Sequence, residues 1–335
     1  MGKLISNAIK LPNIIISLMS DLRRQKRFMK LNIAPILESA KTSNDSTLSD
    51  KDFIKINKYY GLAVPAILGE SFCVLRGSSM TKCERWASTC QGAITGLFDD
   101  FFDDLKLPEE QIVRMVNNPE NIIPNTSTEK LFLEFYRIVL QKAAFPNAIK
   151  KQLLQVHKAQ VASVEQEDSN IDVSRIWEIT RLKGGDSVLF YRTAFDNMPT
   201  VGEEDALFQL GAVMQLENDI FDIYKDYKSG ISTLPTTLVE VNELYTLYKQ
   251  QIDYFIELCY KMDYPRKRVE KFLDRIMPVL SRGFVCLDSY QKLENNNNGI
   301  FNIEAFTRKQ LICDMEKLSN FFKTIKYQVT ITFLF

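Results

Sequence analysis

Two acidic runs decide the fold of this chain: Thr95-Gly-Leu-Phe-Asp-Asp-Phe-Phe-Asp-Asp104 and Gln215-Leu-Glu-Asn-Asp-Ile-Phe-Asp-Ile-Tyr-Lys-Asp226. Each run lies within an apolar stretch of helical length. Residues four apart share a face of a helix, so the acidic side chains of each run form stripes. Like charges at this spacing repel, and carboxylates among phenylalanines risk a costly burial without a compensating cation. Such faces become reasonable when they bind divalent metal ions, because hard cations such as Mg²⁺ take oxygen ligands.

The candidate metal ligands form stripes on two predicted helices. On the first helix, Asp99 and Asp103 share one face. Asp100 and Asp104 share the adjoining face. On the second helix, the oxygen-bearing side chains recur at i, i+4 and i+8, with one further aspartate as the alternative ligand. The complete set is Asp99, Asp100, Asp103 and Asp104 on the first helix, and Asn218, Asp219, Asp222 and Asp226 on the second.

The composition excludes several classes of protein. Lys+Arg and Asp+Glu both number 42 in 335 residues, so no overall basic charge indicates a nucleic-acid partner. The hydrophobic fraction of 45% is too high for a disordered chain, and the few Gly and Pro, 13 and 11, favour long helices. The six cysteines show no CxxC pair, which is typical of reduced thiols. Without a visible secretory signal or an apolar run of about 18 residues, we expect a cytoplasmic protein with no transmembrane segment.

Turn and capping residues divide the chain into helices joined by short loops. Thr126 with Glu129 and Thr200 with Glu203 have capping-box spacing, which marks the starts of two helices. We therefore predict an all-α chain, with an N-terminal helical segment and polar connector over residues 1–50 and one helical domain over residues 51–335. The basic, partly apolar stretch near residues 11–29 is expected to pack on this domain. Peripheral contact of that stretch with a membrane surface stays open.

The two runs resemble the aspartate-rich motifs of the class I isoprenoid synthase superfamily, over roughly residues 55 to 235. The Asp99–Asp103 run matches the first motif, which terpene synthases share with trans-polyprenyl diphosphate synthases. The second run is similar to the second polyprenyl-synthase motif, in which a Gln precedes Asp-Asp-x-x-Asp. It is also similar to the terpene cyclase metal triad, because Asn218 is the residue type that terpene cyclases use at the first position of that triad. The resemblance implies a single-domain terpenoid synthase-like helical bundle with a central active-site cavity.

The resemblance also implies a chemistry. A terpene synthase, which is a carbon–oxygen lyase, ionises a linear allylic prenyl diphosphate to a carbocation and releases diphosphate, forming a terpene hydrocarbon or alcohol. A set of about three Mg²⁺ ions, with Mn²⁺ as a substitute, would bridge the two acidic helices to the diphosphate. The catalytic residues implied are Asp99, Asp100, Asp103, Asn218, Asp222, Asp226 and Arg181. The diphosphate-binding residues implied are Arg181, Lys183, Gly185, Lys225, Lys228 and Gln215. No general base is needed, and His157, the one histidine of the sequence, is expected to be a surface or packed residue.

The segment Arg181-Leu-Lys-Gly-Gly-Asp186 supplies the third part of the expected site. Adjacent glycines within a helix cost about 1 kcal/mol each relative to alanine, so they predict a break in the helix. Terpene cyclases break a helix at this point, where Arg181 resembles their diphosphate sensor and Gly185 the effector position. Against chain-elongating synthases, Lys183 takes the place of the diphosphate-binding lysine. The alternative is that the glycine pair only allows a neighbouring helix to approach.

Departures from the family pattern separate its branches. Chain-elongating synthases follow the first motif with an arginine pair that binds isopentenyl diphosphate, whereas this chain has Leu105-Lys-Leu-Pro-Glu-Glu110. Their early Gly-Lys-Arg segment is also not evident near residues 55–61. These losses favour the one-substrate terpene synthase. The alternatives are a prenyltransferase, of the polyprenyl diphosphate synthase or the head-to-head squalene and phytoene type, and a degraded helical protein that only binds diphosphate.

Two glycines precede the first acidic run on its own stripe. Gly92 and Gly96 fall at i and i+4 relative to Asp99 at i+7, so missing side chains there would deepen a cavity beneath the aspartates. This spacing favours a substrate of C15 or longer. The alternative, equally weighted, is that the glycines let a neighbouring helix approach. A homodimer is common in the superfamily and stays open for this chain by analogy alone.

Overall fold

The structure, a computed structural model, describes the backbone of residues 2–238 and 240–330 and the side chains of residues 10–102, 104–238 and 240–329. Within these ranges the chain is helical and forms no β-strand, which confirms the predicted all-α class. The described α-helices are α1 (Gly2–Phe28), α2 (Ala34–Thr42), α3 (Asp50–Ile54), α4 (Gly61–Ala63), α5 (Glu70–Arg76), α6 (Lys82–Asp103), α7 (Glu109–Asn117), α8 (Ser127–Lys142), α9 (Pro146–Ala162), α10 (Val173–Arg192), α11 (Glu203–Ser229), α12 (Leu234–Thr237), α13 (Val241–Lys261), α14 (Arg266–Asn296), α15 (Arg308–Leu311) and α16 (Leu318–Thr330).

Capping residues fix the ends of the long helices. The Thr126 hydroxyl accepts a hydrogen bond of 3.2 Å from the Glu129 amide at the start of α8, as its spacing predicts. The Glu203 carboxylate accepts one of 2.9 Å from the Thr200 amide before α11. α11 ends at Ser229, and its C-cap Gly230 has a φ of 70°, the left-handed conformation that favours glycine.

The helices pack into two compact units. The α11 unit comprises Met1–Pro12, Val161–Val188 and Thr200–Phe335, and the α6 unit comprises Asn13–Gln160 and Leu189–Pro199. The two acidic runs therefore belong to different units, and each run is described within its own.

Aromatic packing forms the core of the α6 unit. α6 lies against α8, where the ring centroids of Phe101 and Phe132 are 4.9 Å apart in an edge-to-face contact. Each such fully buried ring stabilises the fold by about 1.5–3 kcal/mol. The second half of α1 also packs here, because the buried Gln25 amide donates to the Thr89 hydroxyl at 2.8 Å. This contact holds the second half of α1 against α6.

Buried tyrosines tie together the α11 unit, in which α11 packs on α13 and α14. The Tyr248 hydroxyl donates to the Leu280 carbonyl at 2.7 Å, and the Tyr290 hydroxyl donates to the Ile220 carbonyl at 2.8 Å. The second bond fixes the middle of the second acidic run against α14. Among the described helices, none combines the length and the apolar character needed to cross a bilayer.

Candidate functional site

Asp100 is the buried carboxylate of the first acidic run. The Lys55 ammonium lies 3.2 Å from one of its oxygens and 3.6 Å from an oxygen of Asp52. Burial raises the pKa of Asp100 to about 6, although Lys55 opposes this rise. Asp100 is therefore a destabilised carboxylate that one lysine partly compensates.

The other acidic residues of this run differ in exposure. Asp99 is half-buried, and its charge adds to the effect of burial in raising the pKa of the Tyr191 hydroxyl. That hydroxyl lies 2.9 Å from the hydroxyl of Thr95, one turn before Asp99. Asp104 is exposed at the end of α6. The side chain of Asp103, a predicted ligand, lies outside the described residues.

The glycine stripe of α6 faces a packed segment of the chain. A Cβ on Gly92 would lie 2.4 Å from the Tyr60 carbonyl oxygen, and a Cβ on Gly96 would lie 3.0 Å from Cδ of Lys55. The space beside both glycines is thus filled by residues 55–61, much of which is a π-helical turn at Lys55–Tyr60. The predicted deepening of a cavity is wrong at these positions, so they give no indication of substrate length.

Asp219 is the buried carboxylate of the second run. The Gln215 amide donates to one oxygen at 2.8 Å, and the Thr180 hydroxyl of α10 donates to the other at 3.4 Å. Burial raises the pKa of Asp219 to about 6, against the hydrogen bond from Gln215 and the charge of Lys183. The predicted residues Gln215, Lys183 and Asp219 therefore come together at one place.

Asp226 has the most strongly raised pKa among the carboxyls of the second run. Burial, together with the charges of Asp219 and Asp222, raises its pKa to about 7. Lys225 and Lys183 act in the opposite direction. Asp222 itself is half-exposed and lies 3.5 Å from the Lys225 ammonium. The i, i+3, i+7 spacing of the three aspartates places them along one side of α11.

Asn218 has a different setting from its acidic neighbour. Its side chain is exposed, whereas that of Asp219 is buried. The buried and perturbed side of α11 is thus the Asp219 side, which corresponds to the polyprenyl-synthase form of the second motif.

The helix break predicted at the glycine pair is wrong. α10 runs unbroken from Val173 to Arg192. A Cβ on Gly184 would lie 2.0 Å from the Gly211 carbonyl oxygen of α11, and a Cβ on Gly185 would lie 2.3 Å from the Phe208 ring. The close contact between α10 and α11 therefore compensates the cost of placing two glycines within a helix. The diphosphate-binding role predicted for Gly185 depended on a helix break, and that break is absent from α10.

The predicted cations are placed unevenly. Lys183 is half-exposed and immediately precedes Gly184, which contacts α11. Its charge acts to lower the pKa values of Asp219 and Asp226. The exposed Arg181 instead lies over the Phe208 ring, 5.7 Å from its centroid. Lys228 is exposed beside the ring of Tyr227, at 5.6 Å.

Two arginines near the start of α6 are paired with carboxylates. The Arg76 guanidinium pairs with Glu84 and with Asp196, and the Arg85 guanidinium lies 2.6 Å from Glu70. His157 is buried, which confirms the expectation of a packed residue. Its ring centroid is 5.2 Å from that of Phe102, and neither of its nitrogens makes a hydrogen bond, since the nearest Glu109 oxygen is 3.7 Å away.

Sequence reasoning missed two residues that contact the buried aspartates. Lys55 was considered only as part of an absent Gly-Lys-Arg segment, although it is the direct partner of Asp100. Thr180 precedes Lys183 by three residues, and this helical spacing would have placed both on the side of α10 that faces Asp219. The signal available for Thr180 was its spacing of four residues from Gly184, which places both on one side of a helix.

The donor set is chemically suited to Mg²⁺, because carboxylate and amide oxygens are its preferred protein ligands. Among the side chains that the structure describes, no group of three or more His, Cys, Asp or Glu residues converges to hold a metal ion. Mg²⁺ usually binds through one or two carboxylates and completes its shell with water and substrate phosphate.

No protein-family model matches this chain, and neither a curated protein nor a solved structure matches it.

Proposed function

We propose that this chain is a Mg²⁺-dependent class I terpene synthase that ionises a linear allylic prenyl diphosphate. One observation carries the proposal: each acidic helix presents a buried carboxyl of raised pKa beside a lysine from a neighbouring segment. Carboxyls in this state gain from a divalent cation, while the lysines provide positive charge for a phosphate group. The all-α class and the order of the two motifs support the same reading.

The residues have separate roles in this proposal. Asp99, Asp100 and Asp103 would hold metal on α6, with Asp104 in support, and Asn218 or Asp219 would act with Asp222 and Asp226 on α11. Lys183 would attract the diphosphate, since it already acts on two of these carboxyls. Bound Mg²⁺ would supply charge neutralisation for the leaving diphosphate.

The test of this function is incubation of the purified chain with Mg²⁺ and allylic diphosphates of C10, C15, C20 and C25. Each substrate is supplied with and without isopentenyl diphosphate, and organic and aqueous products are identified by mass spectrometry. A hydrocarbon or alcohol formed from one substrate alone is the expected result. Metal-dependent binding of diphosphate without turnover would replace the proposal with a binding role.

Variants assign the metal-binding residues. Asp99→Ala and Asn218→Ala are expected to abolish turnover without changing the helical circular dichroism signal, because neither side chain is fully buried. Asp219→Asn tests the alternative ligand on α11. Asp205→Ala, an exposed acid on the same helix, is the matched control and should keep full activity. Full activity in both alanine variants would reject the metal assignment.

A prenyltransferase is the second candidate, and the position of Lys55 favours it. In chain-elongating synthases the early basic segment belongs to the site for isopentenyl diphosphate, and here a lysine of that region contacts the first acidic run. Longer diphosphates formed only with isopentenyl diphosphate would establish this activity. A product with twice the carbon number would instead indicate head-to-head coupling. Lys55→Met should then raise KM for isopentenyl diphosphate more than KM for the allylic substrate.

A further inference from the structure

The last described helix, α16, packs on α14 with only one side. Its buried residues are Asn320 and Thr324. The Tyr327 ring stacks on that of Phe284 at 5.4 Å between centroids, and its hydroxyl donates to Asp288 of α14. These contacts fix which side of α16 points outward.

The outward side of α16 is apolar. Leu318, Phe321 and Phe322 are 73%, 45% and 64% exposed. Ile325 and Val329, both half-exposed, extend the same side at helical spacing. A surface helix normally turns its polar residues to water, and a contiguous exposed apolar patch marks a site of interaction.

Positive charge flanks this apolar side. Lys317, Lys323 and Lys326 lie at or beside its edges, and residues 317–329 contain no aspartate or glutamate. The whole chain, by contrast, has equal numbers of basic and acidic residues. Pairing this face with a second copy of itself would bring like charges together. An apolar helix face with flanking lysines matches the surface of a bilayer that contains anionic lipid.

We propose that α16 is an interfacial helix that binds the chain to anionic membrane surfaces. Phe321, Phe322 and Leu318 would insert at the boundary between headgroups and acyl chains, and the lysines would contact lipid phosphates and carboxylates. The contact leaves the α14 side of the helix unchanged. It is independent of the proposed enzymatic activity, because none of these residues belongs to either acidic run.

The test is sedimentation of the full-length chain with vesicles, at equal protein and increasing lipid. One set of vesicles is phosphatidylcholine alone, and the other contains about 30% phosphatidylserine. We expect binding to the second set, weakened in about 0.5 M NaCl because salt screens the lysines. The double variant Phe321→Ser/Phe322→Ser should lower the partition coefficient by roughly tenfold or more, since it removes two inserting rings.

The matched control is Ile123→Ser/Val201→Ser, which removes two exposed apolar side chains elsewhere. This variant should bind vesicles as the parent does. Circular dichroism and thermal unfolding without lipid confirm that both variants are folded. Lack of binding to either vesicle set, or equal binding by the parent and the phenylalanine variant, would overturn the proposal. So would light scattering showing a lipid-free oligomer that the phenylalanine variant dissociates, because the face would then be a protein interface.

Discussion

The two acidic helices are built on the same local pattern. On α6, Gly92 precedes Asp100 by eight residues, and on α11, Gly211 precedes Asp219 by eight. In each case the glycine lets the backbone of another segment approach closely. Gly92 of α6 contacts the backbone of Tyr60, and Gly211 of α11 contacts the backbone of Gly184. The approaching segment brings a lysine towards the aspartate, and the aspartate has a pKa of about 6.

The two regions differ in what directly contacts the buried carboxyl. Lys55 contacts Asp100 as an ion pair, whereas Asp219 accepts hydrogen bonds from the neutral groups of Gln215 and Thr180. Neutral donors satisfy the oxygens of Asp219 without cancelling its charge. Asp226 on the same helix has a pKa of about 7, because it is buried and because the charges of Asp219 and Asp222 act on it.

The largest effect is expected from a substitution that disrupts the close contact between Gly184 and Gly211. Gly184→Ala places a Cβ against the backbone of Gly211, which cannot move aside as a side chain can. We expect a loss of about 3 kcal/mol or more in the free energy of unfolding, measured by urea denaturation. Gly96→Ala is the matched control, because its Cβ meets only the flexible end of Lys55, and it should cost under about 1 kcal/mol. Equal costs would mean that contact with the Gly211 backbone is no more destabilising than contact with a flexible side chain.

The ion pair of the α6 unit is tested by Lys55→Met. Removing the lysine leaves Asp100 buried without its cation, and we expect a loss of about 2 kcal/mol at pH 7. The loss should shrink at pH 5, because Asp100 with its pKa of about 6 is then mostly protonated.

A double-variant cycle isolates this pair. Lys55→Met should cost less once Asp100→Asn is present, since only the longer contact with the buried Asp52, at 3.6 Å, then remains. Lys51→Met, an exposed lysine of the adjoining α3, is the control and should change stability by less than about 0.5 kcal/mol. Additive costs of the two substitutions would show that the pair contributes nothing.

The sequence predicted the helices well because periodicity and capping are local signals. Thr126 is the N-cap of α8, as its spacing from Glu129 predicts, and Thr200 lies two residues before Gly202, the N-cap of α11. The glycine pair at 184–185 misled for the opposite reason. Its propensity cost is local, but the contact with Gly211 that compensates it joins residues distant in sequence.

The candidate site was predictable to the extent that it lies on single helices. Gln215 and Asp219 share a turn of α11, so their hydrogen bond followed from spacing. Lys55 contacts Asp100 across 45 residues of sequence, and no spacing rule reports such a contact. Exposure was equally out of reach, and it is what separates Asn218 from Asp219.

The raised pKa of Asp226 in the α11 unit predicts a dependence of stability on pH. The folded pKa of Asp226, about 7, is above its ordinary value of 3.8, so its stabilising contribution is lost as pH rises through 7. Between pH 5 and 8, the unfolding free energy of the parent should fall relative to that of Asp226→Asn by about 1 kcal/mol, after allowance for solvent screening. The measurement is urea denaturation in EDTA. Asp205→Asn, an exposed change on α11, should follow the parent, and a parallel Asp226→Asn curve would refute the argument.

The smallest effect concerns His157, whose dependence on pH has the opposite sign in the α6 unit. Burial lowers the pKa of this imidazole, against the nearby charge of Glu109, so its stabilising contribution is present above about pH 6.5 and lost as pH falls. His157→Leu should change stability at pH 7 by only about 0.5 kcal/mol, because the buried ring nitrogens make no hydrogen bond to lose. It should flatten the loss of stability between pH 6.5 and 5, whereas Asp226→Asn should not. Thermal unfolding across this range separates the two, and an unchanged acid limb in His157→Leu would assign that limb to other groups.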